Sequence, residues 1–141
     1  MFSGAFVHRA DEKGRVMIPP RFRSLLGESF TITRGMEGCL WLFPLDQWQE
    51  VLLKLEPRSL VDRSALALQR YFLGVAAEIS LDGQGRLAIP PVLRSHAGIE
   101  HEVMLMGAGT RIEVWAKDRW DAFDAGLSDD RLEEMGLQVG L

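Results

Sequence analysis

Arg15 has the chemistry and the setting of a residue that recognises an anionic partner. It directly follows Gly14 and stands four positions after Asp11. The planar guanidinium group presents its N–H donors in a fixed fork, which matches guanine O6 and N7 and also the two oxygens of a carboxylate. Because glycine favours a sharp backbone turn, we expect Arg15 to project from a rim. It can then either bind a guanine base or form an ion pair with Asp11.

Other groups suited to phosphate lie close to Arg15 in the sequence. We expect Lys13 and Arg9 to contact phosphates, which fixes the register of a protein on DNA without reading bases. His8 is a weaker candidate of the same kind. The net charge is +2 in residues 1–72 and −6 in residues 73–141. Any polyanion is therefore expected at the amino-terminal half, although the same asymmetry is compatible with two solvated surfaces of different charge.

The arrangement around Arg15 occurs twice. Residues 11–23 recur 71 positions later as residues 82–94, and Asp, Gly, Arg, Ile, Pro, Pro and Arg coincide at seven places. Farther along, residues 40–48 parallel residues 112–120. This pattern indicates a tandem duplication of a unit of about 50 residues, with a connecting segment between the copies.

The two copies differ in the charge of their turns. An isolated Asp-x-x-x-Arg pair more often pins a turn as an ion pair of modest energy. The repetition and the basic first half favour DNA contact for Arg15, whereas the second copy has Gln84 in place of Lys13. For Arg86 we therefore expect a structural role. The residues that form the turns are Asp11 and Gly14 in the first copy, and Asp82, Gly85 and Arg86 in the second.

Each copy predicts the same local elements. A short strand at residues 16–18 or 87–89 ends at a proline pair, because proline cannot continue a central ladder. Pro20 and Pro91 suit the first turn of a short helix, which Gly27 or Gly98 ends. Glycine-containing hairpins then join residues 30–33 to 40–43 and residues 102–106 to 111–115. Asp46 and Asp118 are placed to cap the helices that follow.

The aromatic residues and the single cysteine are expected to be structural. The four tryptophans and most of the phenylalanines stand at predicted strand or helix positions that face a core, and they are not interleaved with cations as a single-strand binding platform requires. Cys39 lies in an apolar strand with no neighbouring cation, which favours a buried, inert thiol.

The whole chain divides into four predicted segments. They are a first unit over residues 1–55, a connecting helix over 56–75, a second unit over 76–126 and an acidic tail over 127–141. In the connecting segment, apolar residues from Val61 to Val75 recur at helical spacing. In the tail we expect at most a partly ordered helix.

Composition and motifs exclude several classes of protein. The chain has 141 residues, one cysteine and no apolar run long enough to cross a bilayer, which favours a soluble cytoplasmic protein without intrachain disulfides or membrane contact. His8, His96 and His101 have no metal-ligand spacing, and no catalytic or nucleotide-binding motif occurs. We therefore expect no enzyme activity, metal, cofactor or small-molecule substrate.

The paired motifs resemble those of the MraZ family, bacterial transcription regulators of the AbrB-like swapped-hairpin superfamily. The likeness covers nearly the whole chain and is carried by both Asp-x-x-x-Arg motifs, each followed by Ile-Pro-Pro. Further matches are Met1-Phe2-x-Gly4, Thr33-Arg34-Gly35, Cys39-Leu40-Trp41-Leu42-Phe43-Pro44 and His96-Ala97-Gly98. The resemblance implies an α+β fold, mainly β with short helices, in which the tandem units form an intramolecular pseudo-dimer barrel of swapped hairpins.

The resemblance also implies a function. It implies ring-shaped homo-oligomers that bind short, G-rich direct repeats in double-stranded DNA, upstream of the division and cell-wall gene cluster that begins with the regulator's own gene. From it we expect a sequence-specific repressor, in the cytoplasm and associated with the nucleoid. The alternative that the residues leave open is a ring-forming scaffold without specific DNA recognition, because tandem units offer two different faces for heterologous contacts.

Overall fold

Eight strands and six helices make up the fold. The computed structural model describes residues 1–141. The strands are β1 (Ala5–Arg9), β2 (Arg15–Met17), β3 (Phe30–Arg34), β4 (Leu40–Pro44), β5 (Ala77–Ile79), β6 (Arg86–Ala88), β7 (Glu102–Gly107) and β8 (Ile112–Ala116). The helices are α1 (Pro20–Leu26), α2 (Leu45–Leu55), α3 (Arg63–Leu73), α4 (Pro91–Ala97), α5 (Lys117–Ala125) and α6 (Asp129–Gln138). None of the helices is long and apolar enough to span a bilayer.

The strands form one large sheet and one small ribbon, and both contain strands from the two halves of the repeat. The large sheet is antiparallel, with the order β1-β7-β8-β4-β3-β5. Its strand β1 pairs with β7 of the second half, and β5 pairs with β3 of the first half. The tandem repeat and the mainly β, α+β class expected from the sequence are confirmed.

The ribbon consists of β2 and β6, the strands that follow the two aspartate turns. Val16 pairs with Leu87 at its centre, and both side chains are fully buried. The N–H of Ile18 donates to the carbonyl of Gly85 at 3.1 Å, and the N–H of Ile89 donates to the carbonyl of Gly14 at 3.1 Å. Each turn is therefore held by the strand end of the opposite unit.

The short helices begin and end where the sequence predicts. Pro20 and Pro91 are the first residues of α1 and α4, where a missing N–H costs no helical hydrogen bond. Gly98 follows α4 with φ +65°, a left-handed conformation that glycine adopts without strain. Phe22 and Leu93, at equivalent helix positions, are fully buried in one core of 19 residues that also contains Val16 and Leu87.

Some expectations require correction. Asp46 and Asp118 lie inside the first turns of α2 and α5 rather than at their N-caps, which are Pro44 and Ala116. Each aspartate accepts a hydrogen bond only from the N–H of the next residue, so the side chains do not cap the helices. Val61 lies before α3 and is 82% exposed, because the helix is capped by the Asp62 side chain and starts at Arg63.

Two strands were not foreseen, and the tail forms a more complete helix than the partly ordered one expected. The edge strands β1 and β5 lack a clear alternating pattern, and their pairing is supplied by β7 and β3 of the opposite unit. The acidic tail forms the ten-residue helix α6, whose cap Ser128 accepts from the N–H of Arg131 at 3.2 Å.

Trp120 and Phe123 of α5 are half-buried and pack against a small second cluster of Cys39, Met104 and Trp115.

The ribbon centre provides a test of how strongly the two units depend on each other. Truncating Leu87 to alanine leaves a cavity where the units meet, and we expect a loss of about 2–5 kcal/mol in the free energy of unfolding. The measurement is urea unfolding followed by circular dichroism. Val92→Ala, at a residue 60% exposed on α4, is the control and is expected to change stability by less than about 0.5 kcal/mol. Equal effects of the two substitutions would contradict the ribbon's place in the core.

Candidate nucleic-acid interface

Both aspartate turns are closed by the same set of hydrogen bonds. Asp11 Oδ1 accepts from the backbone N–H of Lys13 at 3.0 Å and of Arg15 at 2.9 Å, and Oδ2 accepts from Arg15 Nε at 2.6 Å. In the second turn, Asp82 makes the corresponding bonds to Gln84 and Arg86, at 2.9, 2.9 and 2.8 Å. The turns thus have one geometry despite their different sequences.

These bonds keep the two carboxyl groups ionised. The hydrogen bond from the backbone N–H of Arg15 is the largest influence and lowers the pKa of Asp11. Burial, the next largest, raises it, and the Arg15 side chain and the N–H of Lys13 lower it further, so the pKa lies below its ordinary value. The pKa of Asp82 is lowered in the same way, first by the backbone N–H of Arg86. At neutral pH each aspartate is therefore a fixed negative anchor for its arginine.

The anchoring leaves part of each guanidinium group free. Arg15 and Arg86 are tied through Nε, and neither uses Nη1 or Nη2 in a hydrogen bond. Arg86 Nη1 lies 4.0 Å from Asp11 Oδ2 of the other turn, which brings the two motifs together. The ion pair that the sequence offered as an alternative role for Arg15 is thus present, and it orients the arginine without occupying its outer donors.

The two arginines lie on the outer face of the ribbon. Because strand residues alternate between faces, Val16 and Leu87 point inward while Arg15, Met17, Arg86 and Ala88 point outward. In the register of β2 and β6, Arg15 stands opposite Ala88 and Met17 stands opposite Arg86. The sequence placed Arg15 on a glycine rim; in the structure it is the first residue of a paired strand.

Two further arginines, not among the predicted site residues, flank the ribbon. Arg23 of α1 packs against Gly85, and its Nε and Nη2 donate to the Ile18 carbonyl at 2.6 Å and to Met17 Sδ at 3.1 Å. Arg94 of α4 packs against Gly14, and its hydrogen bonds, such as those with Pro90 and Ile99, are made by its backbone and not by its side chain. Their equivalent positions in the repeat were the available signal, since related residues of a duplicated unit occupy related sites.

The predicted phosphate contacts lie in different surroundings. Lys13 is exposed within the first turn, and only its backbone is bonded to Asp11. Arg9 is exposed at the end of β1, opposite Glu102. His8 is half-buried. Because side chains alternate along a strand, His8 lies on the face of β1 opposite to Arg9, together with Phe6, which packs on Phe22. The structure thus separates His8 from Arg9.

The remaining polar groups of note are structural. Burial, and secondarily the nearby Glu113 charge, raise the pKa of the Cys39 thiol to about 12, so the thiolate nucleophile does not form at neutral pH. Glu113 itself accepts hydrogen bonds from Trp41 at 3.0 Å, Trp115 at 3.1 Å and Arg111 at 2.8 Å. This carboxylate joins β4 to β8 and thereby the first unit to the second.

Comparison with known proteins places the chain in a family. The model of the MraZ protein family matches residues 1–71 and again residues 72–135. The chain belongs to the MraZ family. The protein named transcriptional regulator MraZ of Alkaliphilus metalliredigens is 43% identical over 97% of this chain and 100% of its own length. Its namesake of Acetivibrio thermocellus is 39% identical over the full length of both, and that of Caldanaerobacter subterraneus is 42% identical over 96% and 94%.

In this member of the MraZ family, helix α4 carries His96 as well as Arg94, and the surroundings of His96 disfavour the protonated imidazole. His96 Nε2 is buried and has no hydrogen-bond partner. Burial lowers the pKa of His96, and so do the positive charges of Arg34 and Arg119. Tyr71 packs edge-on against the ring at 6.3 Å, and no carboxylate balances the two arginines at this point. The neutral imidazole is therefore the form that fits.

This histidine predicts acid sensitivity. Because the pKa of His96 is lower in the folded chain than its ordinary value of 6.5, the unfolded chain binds more protons, and stability falls as the pH drops below 6.5 until it passes the folded pKa. We expect His96→Gln to flatten the free energy of unfolding measured between pH 5 and pH 7. His101→Gln, at an exposed residue, is the control. An unchanged slope in His96→Gln would refute the assignment.

Proposed function

We propose that this chain is a transcriptional regulator that reads double-stranded DNA with the outer face of the β2–β6 ribbon. The observation that carries the proposal is the pair of aspartate-anchored arginines on that face, whose Nη1 and Nη2 groups make no hydrogen bond within the chain. Named relatives that match the chain over its full length are transcriptional regulators, which supports regulation of transcription over an enzymatic role.

The two-stranded form of the β2–β6 ribbon suits the major groove of DNA. A two-stranded β ribbon fits this groove, and an arginine on its outer face can donate two hydrogen bonds to guanine O6 and N7. In our proposal Arg15 binds guanine, while Lys13 and Arg9 contact flanking phosphates and His8 supplies at most a minor contact. Asp11 and Gly14 hold the reading arginine in place, as Asp82 and Gly85 hold Arg86.

The end of the ribbon with Arg15 has more cationic side chains available to bind DNA than the end with Arg86. Next to Arg15 lie the exposed Lys13 and the unbonded Arg94, which is contributed by the opposite unit. Next to Arg86, the position of Lys13 is taken by the uncharged Gln84, and Arg23 is engaged by Ile18 and Met17. This difference supports a reading role for Arg15 and a structural one for Arg86.

The wider function that we propose follows from the low affinity for DNA that is expected of a single ribbon. The net charge of −4 limits the affinity of one subunit for DNA. Several subunits in a ring, each contacting one of several direct repeats, would gain affinity through effective concentration. We therefore propose repression of the promoter of the chain's own division and cell-wall gene cluster through short G-rich repeats, in the cytoplasm and at the nucleoid. Each subunit of the ring would then contain two units, residues 1–55 and residues 76–126.

The assignment of Arg15 is testable with fluorescence anisotropy. The probe is duplex DNA from upstream of the chain's own gene, with a scrambled duplex of equal composition and a salt series. We expect Arg15→Ala to weaken selective binding by about 1–3 kcal/mol, the usual discrimination of a bidentate arginine–guanine contact. Arg15→Lys retains the charge, so it should retain salt-dependent binding to both duplexes and lose the preference between them.

Arg63→Ala is the matched control, because Arg63 is exposed on α3 and forms no ion pair. It is expected to bind like the parent chain. Selective binding by Arg15→Ala at parental strength would reject the role of Arg15. Equal affinity of the parent chain for both duplexes, with an intact oligomer in sedimentation, would instead favour a scaffold without specific recognition.

A further inference from the structure

Ala88 lies directly across the β2–β6 ribbon from Arg15. The two residues are directly opposite in the register of β2 and β6, and both belong to the outer face. Side chains opposite each other in an antiparallel pair lie about 5 Å apart. Because base pairs of B-DNA are about 3.4 Å apart, groups at that separation can contact neighbouring base pairs. Ala88 is exposed.

The equivalent position at the other end differs in just this respect. Met17 stands opposite Arg86, is half-buried, and has its sulfur engaged by Arg23 Nη2 at 3.1 Å. The end with Arg86 therefore presents a covered, flexible side chain, and the end with Arg15 presents a small, open methyl group. An apolar group of that size in the major groove contacts the 5-methyl group of thymine.

We propose that Ala88 is a specificity-determining residue that selects a 5-methylated pyrimidine, ordinarily thymine, in a base pair next to the guanine bound by Arg15. This inference rests on the proposed function. It makes the recognition unit composite, because the first unit reads guanine and the second unit reads the adjacent methyl group. A larger outward side chain at position 88 would hold the ribbon away from the bases, which accounts for the value of alanine there.

The test uses modified bases in the shortest duplex that the parent chain binds selectively. Replacement of each guanine by 7-deazaguanine removes the N7 acceptor. The guanine that depends on Arg15 is the one whose replacement no longer matters in Arg15→Ala, which has no side-chain donor. Thymine is then placed at each neighbouring position in turn and compared with uracil, which lacks only the methyl group. We expect a preference for thymine over uracil of about three- to fivefold at one neighbouring position, the value of one buried methyl group.

The protein arm of the test is Ala88→Gly, in which the preference for thymine over uracil should fall to about one while the effect of 7-deazaguanine persists. Ala5→Gly, at an exposed residue of β1, is the matched control for the loss of a methyl group from a strand and should keep the preference. Ala88→Ser serves if the glycine variant does not fold, and it should also lose the preference.

The outcomes separate this inference from the function on which it rests. Selective binding with a guanine contact through Arg15, but with no difference between thymine and uracil at either neighbour, would overturn the role of Ala88 alone. A thymine preference that survives in Ala88→Gly would do the same. Absence of selective binding by the parent chain would overturn both proposals together.

Discussion

The structure depends on the pairing of two three-residue strands that come from opposite halves of a duplicated chain. Strands this short are not stable alone, and β2 and β6 become a ribbon only because each closes the turn of the other through Ile18–Gly85 and Ile89–Gly14 hydrogen bonds. The same contact buries Val16 and Leu87 in the shared core. Folding of either motif therefore requires the other.

This reciprocity turns a duplicated sequence into a single asymmetric site. The backbone geometry of the two turns is the same, as the matching aspartate hydrogen bonds show. The differences are confined to side chains: Lys13 against Gln84, and a free Arg94 against an engaged Arg23. A scaffold with approximate twofold symmetry can thus keep one end for recognition while the other end retains only the structural half of the motif.

Much of the fold was predictable because the same local sequence signals occur in both copies of the repeat. Proline pairs, glycine turns and hairpins agreed between the copies, so the short helices and central strands were located from the sequence. The edge strands were not, because β1 and β5 are defined by partners in the opposite unit rather than by their own residues. The prediction of the helix caps was wrong for a local reason, since Pro44 and Ala116 take the N-cap positions two residues before Asp46 and Asp118.

The Asp11–Arg15 ion pair of the candidate site was predictable from the sequence, and the assembly of the site was less so. The sequence offered DNA contact and an ion pair as competing roles for Arg15, and the structure shows that the Nε contact with Asp11 leaves the outer donors available. The approach of Arg94 to Gly14 joins residues 80 positions apart and has no local signature. Long-range juxtaposition of this kind comes from packing, which a motif does not encode.

A crystal structure of the chain with the shortest duplex that it binds selectively would test the central claim most directly. Our account predicts that the outer face of the β2–β6 ribbon lies in the major groove, with an Arg15 N–H donor within hydrogen-bond distance of guanine O6 or N7. It also predicts that the Asp11–Arg15 contact persists in the complex. A duplex bound to another face, with the outer side of the ribbon in solvent, would contradict it.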